Sequence, residues 1–567
     1  MSLERSRSSA LAHDDSSRTA ARRIDTLISS PNATRTVQRL GIREVHSLIQ
    51  RAGADQAVEL VELLSARQVQ GLVDLDCWAR DRIDQDRFAE WLDRMLTAPD
   101  ESVERWFRGL DLEPLVVWFR EHAQVFLWED DQDLLDTIDA PVLTSPDGTY
   151  AIVVPSDDEQ AMRIRLLLDR AYAYDPEFGR RVLEAARWEL TSDMEERAYR
   201  FRTARLEDLG FVGLDTAWEV FAPIDPVAWR RALETTMPDS PIRLSASPEY
   251  GDLELRWFDL GPSPGRWSLT AAALERIRTR DDGTLHRSLV AQYSALIQRV
   301  AVADGAPPGA IEPLQGAAEA ADARVELALD FGSGGAVDLA ERILVGTPLR
   351  DLHRVGWGLV ERVAAQARTL ARRENLTLTG DPASLVPEPQ ADRLLGLLER
   401  RPVVSASSGG WYTSMRELEA TSRLLADIAF LELWLFGWQR WTRGDLVEVV
   451  FDPARNQTPV EWITFRHLVL SSAALMHAGE AALRPLSVTE ASAWLNLVAA
   501  PGGDPASFVA EALASVLRRD RPAGASIEAV TERLASEYAG WLVENLLSPS
   551  NHYPTEILLT GFMLAPR

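Results

Sequence analysis

Residues 53–76 read GADQAVELVELLSARQVQGLVDLD, and this stretch decides the fold class. Val58, Val61 and Leu64 recur at helical spacing, as do Val69, Leu72 and Val73. Apolar residues at i, i+3 and i+4 mark the buried face of a helix, whereas a strand alternates. Between the two sets stand Ser65 and Gln68, spaced as a capping box, in which a hydroxyl and a carboxamide satisfy the unpaired N–H groups of a first turn. Short amphipathic helices joined by tight corners follow from this pattern. The same start signal is read at Ser156 with Glu159, Ser192 with Glu195 and Ser414 with Glu417. Asp175-Pro176 places an N-cap before a proline in the first helical position.

Downstream, residues 78–128 hold five tryptophans, Trp78, Trp91, Trp106, Trp118 and Trp128, at spacings of 13, 15, 12 and 10. A short helix and its turn take about 12–15 residues, so the spacing predicts one aromatic anchor per helix and a small superhelix of stacked helices. PVLTS, PDG and TYAIVVP (141–155) form two apolar runs around a turn and predict a β-hairpin. The expected organisation is a disordered tail at 1–23 and a superhelical domain at 24–236 containing that hairpin. A Pro/Gly/Ser-rich junction follows at 237–267, with a possible strand at LELRWFDL, then a helical block at 268–375 and a Trp-rich helical domain at 376–567. The fold class is mainly α: a short-helix superhelix with a small hairpin, then bundle-like blocks.

Composition excludes a good deal. All 60 basic residues are arginine. A GC-rich genome, which favours arginine codons, would produce this, and the chemical consequence holds regardless. Without lysine there is no Schiff-base nucleophile, pyridoxal-phosphate anchor, phosphate-loop lysine or kinase-type ATP lysine. The net charge of −26 opposes nucleic acid and anionic lipid and favours cations or basic partners. The single cysteine, Cys77, permits no disulfide within the chain and no thiolate metal cage. Beside Trp78 it reads as a core residue, and it fits a cytoplasmic setting. The first 23 residues lack the apolar centre of a secretory signal. LLADIAFLELWLFGW (424–438) is too short for a membrane span and carries Asp427 and Glu432.

The paired short helices of 53–76, with their Leu/Val pairs, acidic turns and closing Leu-Asp, resemble the helical N-terminal cytoplasmic domain of MgtE-type magnesium transporters. The likeness extends over about 40–130. It implies a superhelix and leaves magnesium sensing open. Neither a membrane domain nor the paired CBS domains of the transporters can be picked out. QGLVDLDCW (70–78) and the long Trp-rich helical C-terminal half also resemble an uncharacterised bacterial family, a domain of unknown function, which implies a fold and no activity.

Three constellations carry candidate chemistry. Glu129, Asp130, Asp131, Asp133, Asp136 and Asp139 form the densest carboxylate run, and hard cations such as magnesium take several oxygen ligands. Read structurally, the same acids favour the start of a helix. VELAL followed by DFGSGG (330–335) resembles the first motif of class I methyltransferases, with Asp330, Gly332 and Gly334 in place and Ala336 where a third glycine is usual. Read structurally, it is a loop between helices. In a helix spanning 415–441, Asp427, Leu431, Trp434, Trp438 and Trp441 share one stripe. That stripe is either core, with Asp427 paired to an arginine, or a groove for a partner with a polar anchor. The eight histidines make no HExxH or other close metal pair; His467 and His477 share a helix but point about 80° apart.

No convergent catalytic set is visible, which favours a scaffold or protein-interaction protein over an enzyme. The alternatives are a divalent-cation sensor, with magnesium as its only candidate cofactor, and an S-adenosylmethionine-dependent methyltransferase.

Overall fold

A computed structural model describes residues 18–566, except 80, 136, 139, 156–157, 209–210, 212, 237–267, 281–283, 308–311, 374–382, 439, 453, 481–483, 501, 521–524 and 548–552. The expected junction at 237–267, with LELRWFDL, lies outside the described residues, as does Ser156. The chain is mainly α, with two small antiparallel sheets, of two and three strands, among the described residues.

The N-terminal part is built from short helices, including Ile42–Ala52, Val58–Glu62, Ala66–Asp76, Gln85–Thr97, Asp100–Phe107 and Leu112–His122. The corner at Ser65 forms as the sequence dictates. Ser65 Oγ accepts from the Gln68 amide at 3.3 Å, and the Ser65 amide donates to Gln68 Oε1 at 2.9 Å. Gln68 Nε2 then donates to the carbonyls of Val37 and Leu40, so the capping residue also fastens the end of helix Ala33–Gln38. Helix 18–28 takes in the last residues of the expected tail and buries Ala20 and Ile24. Trp91, Trp106 and Trp118 are each a buried anchor on a separate helix. Trp78 instead opens strand β1 (Trp78–Ala79), paired with β2 (Arg82–Ile83), and Trp128 is 38% exposed after strand β3 (Gln124–Leu127).

The hairpin pairs β4 (Val142–Thr144) with β5 (Tyr150–Val153), Val142 opposite Val153. Its turn rests on Gly148, at φ +73°, and on Asp147, which accepts from Ser145 Oγ and the Thr149 amide. Sequence patterning missed β3, which covers the other edge of β5 and makes the order β3-β5-β4. The run QVFL is too short for its alternation to be distinguished from a helix end.

Start signals elsewhere are mixed. Asp175 caps Pro176–Trp188 as expected, and Ser414 caps Met415–Glu432 by accepting from the Glu417 amide. Ser192 lies inside Thr191–Asp208, so it is not a cap. Unpredicted boxes form at Thr442 with Asp445, Thr464 with His467 and Ser487 with Glu490.

Among the described residues, buried side chains form three main clusters, at 20–198, 217–355 and 327–564. The central one includes Ala217 and Val220, which precede the expected junction. Helix Leu349–Ala371 places Leu352 and Val355 in the central cluster and Leu359 to Leu370 in the C-terminal one. It crosses Glu312–Ser333 at Gly356, where a Cβ would stand 2.0 Å from the Arg324 carbonyl oxygen. Only glycine permits this approach.

Candidate functional site

Each constellation read from the sequence has a definite place. In the acidic run, Glu129 and Asp130 are exposed, and Gln132–Leu135 is a single helical turn. Asp131 is already engaged: Oδ2 accepts from the Leu127 amide at 2.8 Å and pairs with Arg187 Nη2 at 3.1 Å. Asp133 is exposed, and Asp136 and Asp139 lie outside the described residues. No group of three His, Cys, Asp or Glu residues arranged to hold a metal occurs among the described residues.

VELAL and DFGS are not a strand and a loop. Both belong to helix Glu312–Ser333, and the turn is confined to Gly334 and Gly335, at φ +60° and +84°. The strand ending in an acid that a methyltransferase requires is therefore absent at Asp330. A Cβ on Gly332 would meet Ile343 and Trp229 at 2.9 Å, so this glycine serves helix packing. The Asp330 carboxylate accepts from the Met415 amide at 2.7 Å and helps cap helix Met415–Glu432.

The stripe beginning at Asp427 is interrupted. The α-helix ends at Glu432, and Leu433–Trp438 continues as a π-helix, which changes the angular step between residues. Trp434 is fully buried in the C-terminal cluster; Trp441 follows the helix and packs against that cluster, partly buried. The Trp438 side chain lies outside the described residues. Asp427, 8% exposed, is held by Arg533.

The remaining titratable candidates are also structural. Burial pushes the Cys77 thiol well above its ordinary range, and neighbouring Asp76, Asp84 and Asp74 raise it further, so no thiolate nucleophile forms there. His467 accepts from the Thr464 amide through Nδ1 and donates through Nε2 to the Leu559 carbonyl. Burial, then the charge of Arg466, lowers its pKa to about 4.

A different feature stands out beside the acidic turn. Trp188, the last residue of helix Pro176–Trp188, is 72% exposed, and Leu190 is 63% exposed. The Arg187 guanidinium that pairs with Asp131 also lies 4.4 Å from the Trp188 ring centroid. One arginine thus joins the acidic turn to an uncovered aromatic face. Arg120 fixes the corner from behind, donating to the Ala186 carbonyl and to Thr191 Oγ1.

A family model matches residues 7–551, nearly the whole chain. The chain belongs to DUF6178, a family of unknown function. No curated protein and no solved structure matches it. The DUF6178 assignment fixes no activity, and the likeness to magnesium transporters remains one of sequence pattern.

The sequence carries a signal for this DUF6178 corner that capping and catalytic motifs do not register. Phe178, Val182, Leu183 and Ala186 form the buried stripe of their helix, and Trp188 falls off it. A second overlooked signal is Arg202, which occupies the buried stripe Met194, Ala198, Arg202, Leu206 of Thr191–Asp208. No helix among the described residues is long and apolar enough to cross a membrane.

Proposed function

We propose that this protein is a non-catalytic, cytosolic interaction protein, and that the corner at Trp188 receives a basic, partly apolar segment of a partner protein. The observation that carries this reading is the uncovered pair Trp188 and Leu190, joined through Arg187 to Asp131 in the turn that follows the exposed acids Glu129 and Asp130. Aromatic side chains dominate binding energy at interfaces because they desolvate a large area with little loss of side-chain freedom. The carboxylates of the acidic turn and the net charge of −26 attract a basic segment and speed its encounter. Arg187 already covers part of the indole, which preorganises the ring. The cytosolic setting rests on the lone, buried, free Cys77.

The test is fluorescence anisotropy of the full chain against a panel of labelled peptides. The panel comprises arginine-rich peptides with Leu or Trp anchors, the same peptides with the anchors replaced by Ser, and acidic counterparts. Binding confined to the basic, anchored peptides supports the reading. Equal binding across the panel, or none, contradicts it.

A further inference from the structure

A cleft of about 300 Å³ opens between the N-terminal helices and the turn around Gly305. Its walls include Trp78, Asp84, Arg87, Tyr199, Arg202 and Ala306. The decisive residue is Arg202, which is only 5% exposed. Its Nε donates to the Asp74 carbonyl at 2.7 Å, and its guanidinium carbon lies 5.0 Å from the Trp78 ring centroid. Its two terminal nitrogens have no hydrogen-bond partner among the described residues.

A guanidinium largely withdrawn from water, with open donors toward a cleft, is costly unless something in that cleft meets them. The neighbouring acids do not. Asp74 is fully buried, and both its carboxylate oxygens are taken by Arg205, at 2.7 and 2.9 Å, with Gln70 adding a third bond. Arg205 also pairs with Asp111. In the cleft wall, Asp84 faces Arg87 at 3.7 Å and caps helix Gln85–Thr97 through the Arg87 amide. Burial draws the pKa of Arg202 down to about 10, so it is still charged at neutral pH. The indole N–H of Trp78 is buried without a partner. Trp78 and Tyr199, with ring centroids 6.1 Å apart, give the same wall an aromatic surface.

We infer that this cleft binds a small carboxylate bearing a flat apolar body, with the Arg202 fork on the carboxylate and the body against Trp78 and Tyr199. A planar guanidinium matches a carboxylate through two parallel bonds. One unengaged arginine answers one negative charge. A phosphate dianion would leave excess charge facing Asp84 in the wall, and so fits less well. The volume suits a metabolite-sized ligand. This site is separate from the Trp188 corner and does not depend on its assignment.

The probes are benzoate, acetate and inorganic phosphate, titrated into the full chain by calorimetry and by ligand-observed NMR. Benzoate should bind saturably, acetate more weakly and phosphate not at all. Arg202→Gln should weaken benzoate by about 10- to 100-fold, the effect of losing charge-assisted hydrogen bonds. Arg202 also braces the Asp74 carbonyl, so a second variant acts from the opposite wall. Ala306→Phe fills the cleft without altering Arg202 and should abolish benzoate binding while the melting temperature is kept. Absence of saturable benzoate binding up to about 10 mM, or binding that survives both variants, overturns the proposal. Phosphate binding as tightly as benzoate overturns the carboxylate assignment.

Discussion

Asp427 and Arg533, 106 residues apart, clasp helix Met415–Glu432 to helix Ala525–Asn545 through both carboxylate oxygens. The two partners are unequally placed: the carboxylate side chain is 11% exposed and the guanidinium side chain 36%. Burial raises the pKa of Asp427 even though Arg533 and Arg423 act to lower it.

The inequality predicts an asymmetric response. Arg533→Met strands a buried carboxylate and should cost about 3–5 kcal/mol, the range for breaking a buried pair from one side. Asp427→Asn leaves an arginine that can still reach water, and should cost about 1–2 kcal/mol. Acidification to about pH 5 should restore part of the Arg533→Met loss by protonating Asp427. Denaturant melts of the two variants at two pH values test this. Equal losses would show that burial does not govern the pair.

Trp434 is fully buried in the C-terminal cluster. Trp434→Ala should therefore destabilise by about 3–5 kcal/mol, as large-to-small core changes do. Trp441, partly buried beyond the helix, should lose less on the same change. If Trp434→Ala melts like the parent protein, the ring does not support the core.

Acid stability follows from buried groups of opposite sign. Burial, then the charge of Arg324, pushes His353 down to about 3, and His467 sits at about 4. The unfolded chain takes up these protons first, so stability falls as pH drops from about 6.5 to about 4. Asp322, raised to about 7 by burial and then by Glu326, acts the other way. Its folded form holds a proton that the unfolded chain has lost, so its contribution falls as pH rises from about 4 to 7. Two histidines outweigh one acid in the shared window, and the three groups together favour melting temperatures that rise with pH there. Asp322→Asn should steepen that rise by about 1.4 kcal/mol per pH unit and stabilise the protein at about pH 8. A shallower rise in the variant would reverse the sign assigned to Asp322.

Asp131 serves Leu127 and Arg187, so cation binding should not involve it. Asp131→Asn should cost about 1–2 kcal/mol in the absence of any metal, through the lost charge-assisted bonds. About 10 mM magnesium should raise the melting temperature of parent and variant alike, no more than sodium at matched ionic strength. A saturable magnesium shift that vanishes in the variant would restore the sensor reading by mass action.

Much of the helical architecture was legible because capping and periodicity are local. The Ser65–Gln68 box and the Asp175-Pro176 start are complete within four residues, and both form. What was not legible depends on distant chain. DFGS reads as a turn by composition, yet Gly332 remains helical because Trp229 and Ile343 close on it. The stripe from Asp427 to Trp441 assumed a constant helical step, which the π-helix at Leu433–Trp438 breaks. Arg202 and Trp188 are violations of pattern, an arginine on a buried stripe and a tryptophan off one, and such departures belong to no catalytic motif.

The most direct measurement concerns Trp188. The dissociation constant of the best basic, anchored peptide is measured for the parent chain and for Trp188→Ser with Leu190→Ser, alongside both melting temperatures. Both side chains are largely exposed, so the double variant should melt within about 0.5 kcal/mol of the parent. Its affinity should fall about 30-fold or more, as for loss of an interface hot spot. Unchanged affinity at unchanged stability would contradict the assignment of this corner as the binding surface.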